Sequence, residues 1–121
     1  METRPRVGIG VDPYMAASAI HAALSRDARV EAILLPSGRA GRTQARTADL
    51  DAVIVSRQVV RPDALVVQLF PSGSVEILAG STWRSVVYTG IENLAELVLE
   101  QLARRRHPAT RRTAPLAVAV S

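Results

Sequence analysis

The sequence contains no cysteine, so disulfides, thiolate metal sites and thiol chemistry are all excluded. It contains no lysine either, and all 15 basic side chains are arginine. Aromatic residues amount to 3%, with Tyr14, Phe70, Trp83 and Tyr88 the whole set, so any core must be aliphatic. There are only two histidines, His21 and His107. His21 falls mid-helix beside an apolar stripe and reads as a structural residue. His107 falls in a polar tail, a poor place for a positioned general base. Two histidines and carboxylates at no recognised spacing do not make a zinc site, and no metal is expected. No apolar run approaches the ~18 residues that span a bilayer. The opening Met-Glu-Thr-Arg-Pro-Arg leads straight into a strand-like segment rather than an apolar signal region. The expectation is a cytoplasmic protein without membrane association.

Hydrophobic residues make up 48% of 121 and charged residues 21%, which suits one folded domain and argues against global disorder. The net charge of +4 is uneven. Arg104, Arg105, Arg106, Arg111 and Arg112 crowd the C-terminus, and taking those five from +4 leaves about −1 for the rest. The chain divides into an α/β domain over residues 1–105 and a basic tail over 106–121.

Arg6–Val11 is a short apolar run of the kind a buried strand shows. Asp12-Pro13 follows, with Asp suited to a helix N-cap and Pro to the first helical position. Ala16, Ile20, Ala23 and Leu24 then fall at helical spacing over Tyr14–Ser25. Arg29–Leu35 reads as a second strand, stopped by Pro36-Ser37-Gly38. The polar stretch Arg39–Asp49 fits either a loop or one weak helix, and the sequence leaves both open. Ala52–Ser56 is a third strand, apolar on both faces as a covered parallel strand would be.

In the second half, Leu65–Phe70 and Ser74–Leu78 flank Pro71-Ser72-Gly73, the pattern of a hairpin. Val75 and Ile77 alternate with Ser74 and Glu76, which predicts an edge-like arm with one wet face. Trp83–Tyr88 reads as a further strand. Thr89 and Glu92 have capping-box spacing, and Ile91, Leu94, Ala95, Val98 and Leu102 keep a 3.6-residue period beyond them. Burying the four large aliphatics of that helix contributes roughly 6–12 kcal/mol at most.

Gly8 and Gly10 resemble the start of a phosphate-binding turn, but Pro13 stands where G-x-G-x-x-G requires its third glycine. Their expected role is to let a helix pack closely over the strand. Asp12 lies at the carboxyl end of the first strand, where open α/β sheets bind ligands, and Gly8, Gly10 and Asp12 form the candidate small-ligand site. Asp49 and Asp51 precede the third strand and belong at the opposite end.

The order of elements resembles the receiver domain of bacterial response regulators, a flavodoxin-like fold. R-V-G-I-G-V-D-P-Y-M is similar to the receiver's first strand and acidic loop, D-L-D-A-V-I-V-S-R to its third strand, and V-V-Y-T-G-I-E-N-L-A-E-L-V to its fifth strand and last helix. The resemblance covers the first 57 residues and the 20 before the tail, and it breaks between Phe70 and Trp83, where a receiver has a helix. It implies a small three-layer sheet with the acidic pair at Gly10 and Val11, the phosphoacceptor at Ser56 and the fifth-strand lysine at Thr89. None of those residues can take the required role in aspartate phosphorylation, which needs a carboxylate nucleophile and a divalent ion. The reading is a degenerate receiver: no enzyme, no catalytic residue and no cofactor, but a signal-transduction module that binds another protein or a second copy of itself. Trp83 and Tyr88 are its candidate partner-binding residues. Two alternatives stand beside it. One is a nucleic-acid accessory protein using Arg104, Arg105, Arg106, Arg111 and Arg112. The other is a ligand-sensing domain using the first-strand site.

Overall fold

The computed structural model of the chain describes residues 4–79, 82–86 and 90–106. In chain order its elements are β1 (Arg6–Gly10), α1 (Tyr14–Ser25), β2 (Glu31–Leu34), α2 (Gly38–Thr47), β3 (Ala52–Val55), β4 (Leu65–Leu69), β5 (Val75–Ala79), β6 (Thr82–Val86), a 3-10 turn (Ile91–Asn93) and α3 (Leu94–Arg106). The strands form one mixed sheet in the order β2-β1-β3-β4-β5-β6. The first four are parallel; β5 is antiparallel to β4, and β6 to β5.

Strand alternation sends successive side chains to opposite faces, and two cores result. On one face Val7, Ile9, Ile54, Leu65, Val67, Val75 and Ile77 pack against α1 and α3. On the other, Val53, Val55, Val66 and Leu78 pack against Ala45 of α2 and Val59. The β1, β3 and β4 strands are apolar on both sides because helices or chain cover both sides. In α3, Leu94, Val98 and Leu102 are buried at the predicted spacing, and Glu100 meets Arg104 at 3.2 Å on the outer face. The buried Leu94 matters far more than that exposed pair, whose net worth is under about 1 kcal/mol.

One reading left open is decided and others are corrected. The segment left open as loop or helix is helical over Gly38–Thr47. Its alanine, arginine and glutamine are good helix formers, and Gly41 has a packing reason described below. The first helix begins at Tyr14, with Pro13 rather than Asp12 in the cap position and no side-chain cap bond. The Asp12 carboxylate turns instead to Arg57. The hairpin is present: Phe70 donates its N–H to the Ser74 carbonyl at 3.0 Å, and Gly73 turns the chain at φ 92°. The β5 arm is nevertheless not an edge, because β6 pairs along its outer side. That pairing buries Leu78 and leaves β6 itself at the margin.

Of the proposed capping box, Thr89 lies outside the described residues, as does Tyr88. Glu92 sits in the 3-10 turn, so α3 proper starts at Leu94, a turn later than the capping box would place it. The tail beyond Arg106 is also outside the described residues. A flavodoxin-like sheet wound throughout would carry a helix on each crossover and a parallel fifth strand. Here the β3–β4 connection, residues 56–64, has no helix, and β5 reverses. Val59 and Val60 are β-branched and Arg61 precedes Pro62, all of which favour extended backbone. The α/β class holds, with winding on both faces confined to the first three strands.

One surface tie joins the two halves. Arg29, after α1, pairs with Asp27 at 2.7 Å and with Glu96 of α3 at 2.6 Å. The side-chain hydrogen bond from Arg29, followed by its backbone N–H, holds the Asp27 carboxyl down to about 2 from its ordinary 3.8. A carboxyl depressed on folding contributes stability that is full above the unfolded value and is lost as pH falls through the folded one. Acid titration of the protein is therefore expected to show a small loss of stability between about pH 4 and pH 2 that Asp27→Asn removes. Leu94→Ala is expected to lower unfolding free energy by about 2–5 kcal/mol in urea melts, against less than about 0.5 kcal/mol for Arg104→Ala.

Candidate functional site

The chain leaves β1 for β2 on one side and, after α2, returns to β3 on the other. The carboxyl ends of β1 and β3 therefore diverge into a crevice, the place where open α/β sheets hold ligands. A cavity of about 270 Å³ lies there. Its apolar floor comes from the core residues Val11, Ala17, Leu35, Ala45, Val55 and Val59. Its charged lining is Asp12 from the end of β1, Arg42 and Arg46 from α2, and Arg57 from just past β3. Tyr14, the first residue of α1, stands at the rim with 53% of its surface exposed.

Each wall has a local cause. The α2 helix passes so close to the end of β2 that a β-carbon on Gly41 would lie 1.7 Å from the Pro36 carbonyl oxygen. Only glycine fits that contact. Gly41 and Ala45 are the buried positions of α2, one helical turn apart, so the neighbouring Arg42 and Arg46 are also one turn apart and share the exposed side facing the crevice. Opposite them, the Ser56 hydroxyl accepts the Asp12 N–H at 2.9 Å, tying the end of β3 to the end of β1. Beside this tie the Arg57 Nε approaches the Asp12 carboxylate at 3.4 Å, with both side chains more than half exposed.

The two walls are joined by one buried guanidinium. Arg61, 4% exposed, donates to the Ala45 carbonyl at 3.0 Å, to the Ala48 carbonyl at 2.9 Å and to both carboxylate oxygens of Asp63. A cation at a helix C-terminus satisfies carbonyls that have no intrahelical partner. The Arg61 hydrogen bond also holds the Asp63 carboxyl below its ordinary range.

Of the residues singled out from sequence, Gly10 and Asp12 line the cavity and Gly8 does not. Both glycines face Leu35 or Leu50 side chains: a β-carbon on Gly8 would meet Leu50 Cδ1 at 2.6 Å, and one on Gly10 would meet Leu35 Cδ1 at 3.4 Å. Gly8 makes room for a leucine from a connecting segment, where a helix was expected, while Gly10 stands only in ordinary contact with one. Ser56, the position matched to the phosphoacceptor, is brought next to Asp12 as a hydrogen-bond acceptor. Trp83 is half-buried and packs on the second core beside Leu78. Arg104 pairs with Glu100, and Arg105 donates to the Pro62 carbonyl at 3.0 Å. These two are thus engaged with the body. The side chain of Arg106, and all of Arg111 and Arg112, lie outside the described residues.

Sequence reasoning missed Arg42, Arg46, Arg57 and Tyr14 as site residues. The spacing of Gly41 with Ala45 and of Arg42 with Arg46 was the available signal. Among the described residues, Arg42 and Arg46 have no hydrogen-bond or ion-pair partner, so two guanidiniums at the crevice stand open to a ligand. Replacing Arg61 by Ala is expected to cost about 2–4 kcal/mol in denaturant melts, because two helix-end carbonyls lose a charged donor. Arg61→Lys is expected to recover only part of that loss, since an ammonium lacks the planar fork.

No protein-family model, curated protein or solved structure matches this chain.

Proposed function

We propose that this chain is a regulatory domain without a catalytic centre, and that it responds to a small anionic ligand held at the carboxyl ends of β1 and β3. One observation carries the reading: a cavity of about 270 Å³ at the point where the sheet reverses its winding, with an apolar floor and three arginines against one carboxylate. Guanidiniums bind oxyanions through charge-assisted hydrogen bonds, which are about twice as strong as neutral ones. The β2-β1-β3-β4 order and the meeting of Asp12 with Ser56 support a receiver-like frame for the first half. Ser56 offers no carboxylate for phosphorylation, so binding rather than phosphotransfer is the chemistry this frame supports.

A partner-binding surface on Trp83 draws less support, since that ring packs against Leu78 rather than projecting alone. The arginine-tail reading has no observation of its own among the described residues, where Arg104 meets Glu100 and Arg105 the Pro62 carbonyl.

Thermal melts of the full-length protein with inorganic phosphate, citrate and a neutral sugar provide the test. A ligand at ~10 times its Kd stabilises by about 1.4 kcal/mol, which raises Tm by roughly 5–10 °C for a domain of this size. The two anions are expected to produce such a rise and the sugar none. Arg42→Gln with Arg46→Gln is expected to abolish it, while Arg111→Gln with Arg112→Gln leaves it in place. The opposite pattern, with loss only on changing the tail, would place anion binding outside the crevice.

A further inference from the structure

The cavity's charge, floor and rim together narrow the ligand class, an inference that rests on the anion-binding reading above. Counting Arg42, Arg46 and Arg57 against Asp12, the cavity presents three positive groups and one negative, an excess of two. A carboxylate is satisfied by one bidentate guanidinium. A phosphate monoester carries between one and two negative charges at neutral pH and three acceptor oxygens, so it engages two or three guanidiniums together. The pair on α2 with Arg57 opposite suits the second case. Inorganic phosphate alone would leave the floor of Val11, Leu35, Val55 and Val59 uncovered.

The rim supplies the remaining constraint. Tyr14 is one of only four aromatic residues in the sequence, yet it is spent on the rim with 53% of its surface in solvent. An exposed phenol beside an apolar floor is a stacking platform for a flat ring, and arginine planes stack on rings equally well. Size sets the upper bound. A volume of about 270 Å³ lies at or just under the small end of ligand pockets, room for a mononucleotide and not for a dinucleotide.

We infer that the crevice takes a nucleoside monophosphate, with its phosphate on Arg42, Arg46 and Arg57 and its base over the apolar floor against Tyr14. The Asp12 carboxylate, 3.4 Å from Arg57 in the structure, then serves as the acceptor for a ribose hydroxyl or a base amino group. Entry of the phosphate gives Arg57 a second anionic partner, so the ligand competes for the Asp12–Arg57 contact.

Calorimetric titration of the full-length protein with adenosine 5′-monophosphate, ribose 5-phosphate, adenosine, inorganic phosphate and citrate tests this. The nucleotide is expected to bind at least about tenfold more tightly than ribose 5-phosphate, with adenosine giving no measurable heat. Tyr14→Ala is expected to weaken the nucleotide about fivefold or more while leaving ribose 5-phosphate unchanged, the signature of a lost stacking contact. Since Tyr14 is exposed, its Tm should stay at the wild-type value, which separates lost binding from lost fold. Citrate or phosphate binding at the arginines with no advantage for the nucleotide would overturn the ligand class and leave the anion site standing. No binding by any of the five would overturn both. Adenosine binding as tightly as its phosphate would show that the guanidiniums do not carry the recognition.

Discussion

A single buried arginine makes the two halves of the second face into one surface. Parallel strands are ordinarily joined by a dozen or more residues, most often a helix. The β3–β4 connection is shorter and has no helical hydrogen bonds of its own to hold it. Arg61 supplies what is missing. Its guanidinium reaches the last carbonyls of α2 on one side and Asp63 on the other, so an irregular segment is fixed to a helix end by charge-assisted bonds. Burying a lone guanidinium would be strongly unfavourable. Here its donors meet two carbonyls and a carboxylate, which is the condition under which a buried charge is tolerated.

The position of the crevice follows from that tie. One of its walls is α2 and another is the start of the 56–64 connection, and Arg61 bonds that connection to the C-terminal end of α2. The Ser56–Asp12 hydrogen bond then sets the distance between the ends of β3 and β1. The antiparallel half of the sheet contributes differently. Val75, Ile77 and α3 complete the larger core, and Arg84 of β6 reaches Gln101 of α3. That half provides mass and burial, while the arginine-lined cavity lies in the parallel half, where strand ends, a helix and a loop converge.

Much of this architecture was legible from patterns with a direct physical origin. Continuous aliphatic runs marked β1 and β3, because strands covered on both faces have no polar side to show. The Pro71-Ser72-Gly73 connection marked the hairpin, because the turn needs a residue with positive φ. The period of Leu94, Val98 and Leu102 marked α3. The interior place of β5 was hidden, because Val75–Ile77 alternation looks the same whether the far side of a strand is solvent or another strand. The start of α1 was misplaced by a residue, since an Asp-Pro step fits a cap equally well when the aspartate is drawn away by Arg57. The site was half legible. Asp12 and Gly10 lie at a strand end, which sequence position reveals. Arg42 and Arg46 reach the crevice because Gly41 lets α2 seat against Pro36, and Arg57 reaches it from the opposite wall just past β3; neither placement has a periodic signature. A run of arginines in a polar stretch otherwise resembles any solvated surface.

The central claim is that the crevice between β1 and β3 is where this protein meets its ligand. Backbone amide chemical shifts recorded during titration with inorganic phosphate test it most directly, since each residue reports for itself. The shifted amides are expected to fall in the segments 10–12, 37–46 and 55–59, with the β5–β6 half unmoved. Shifts confined to residues 104–112, with the crevice segments silent, would contradict it.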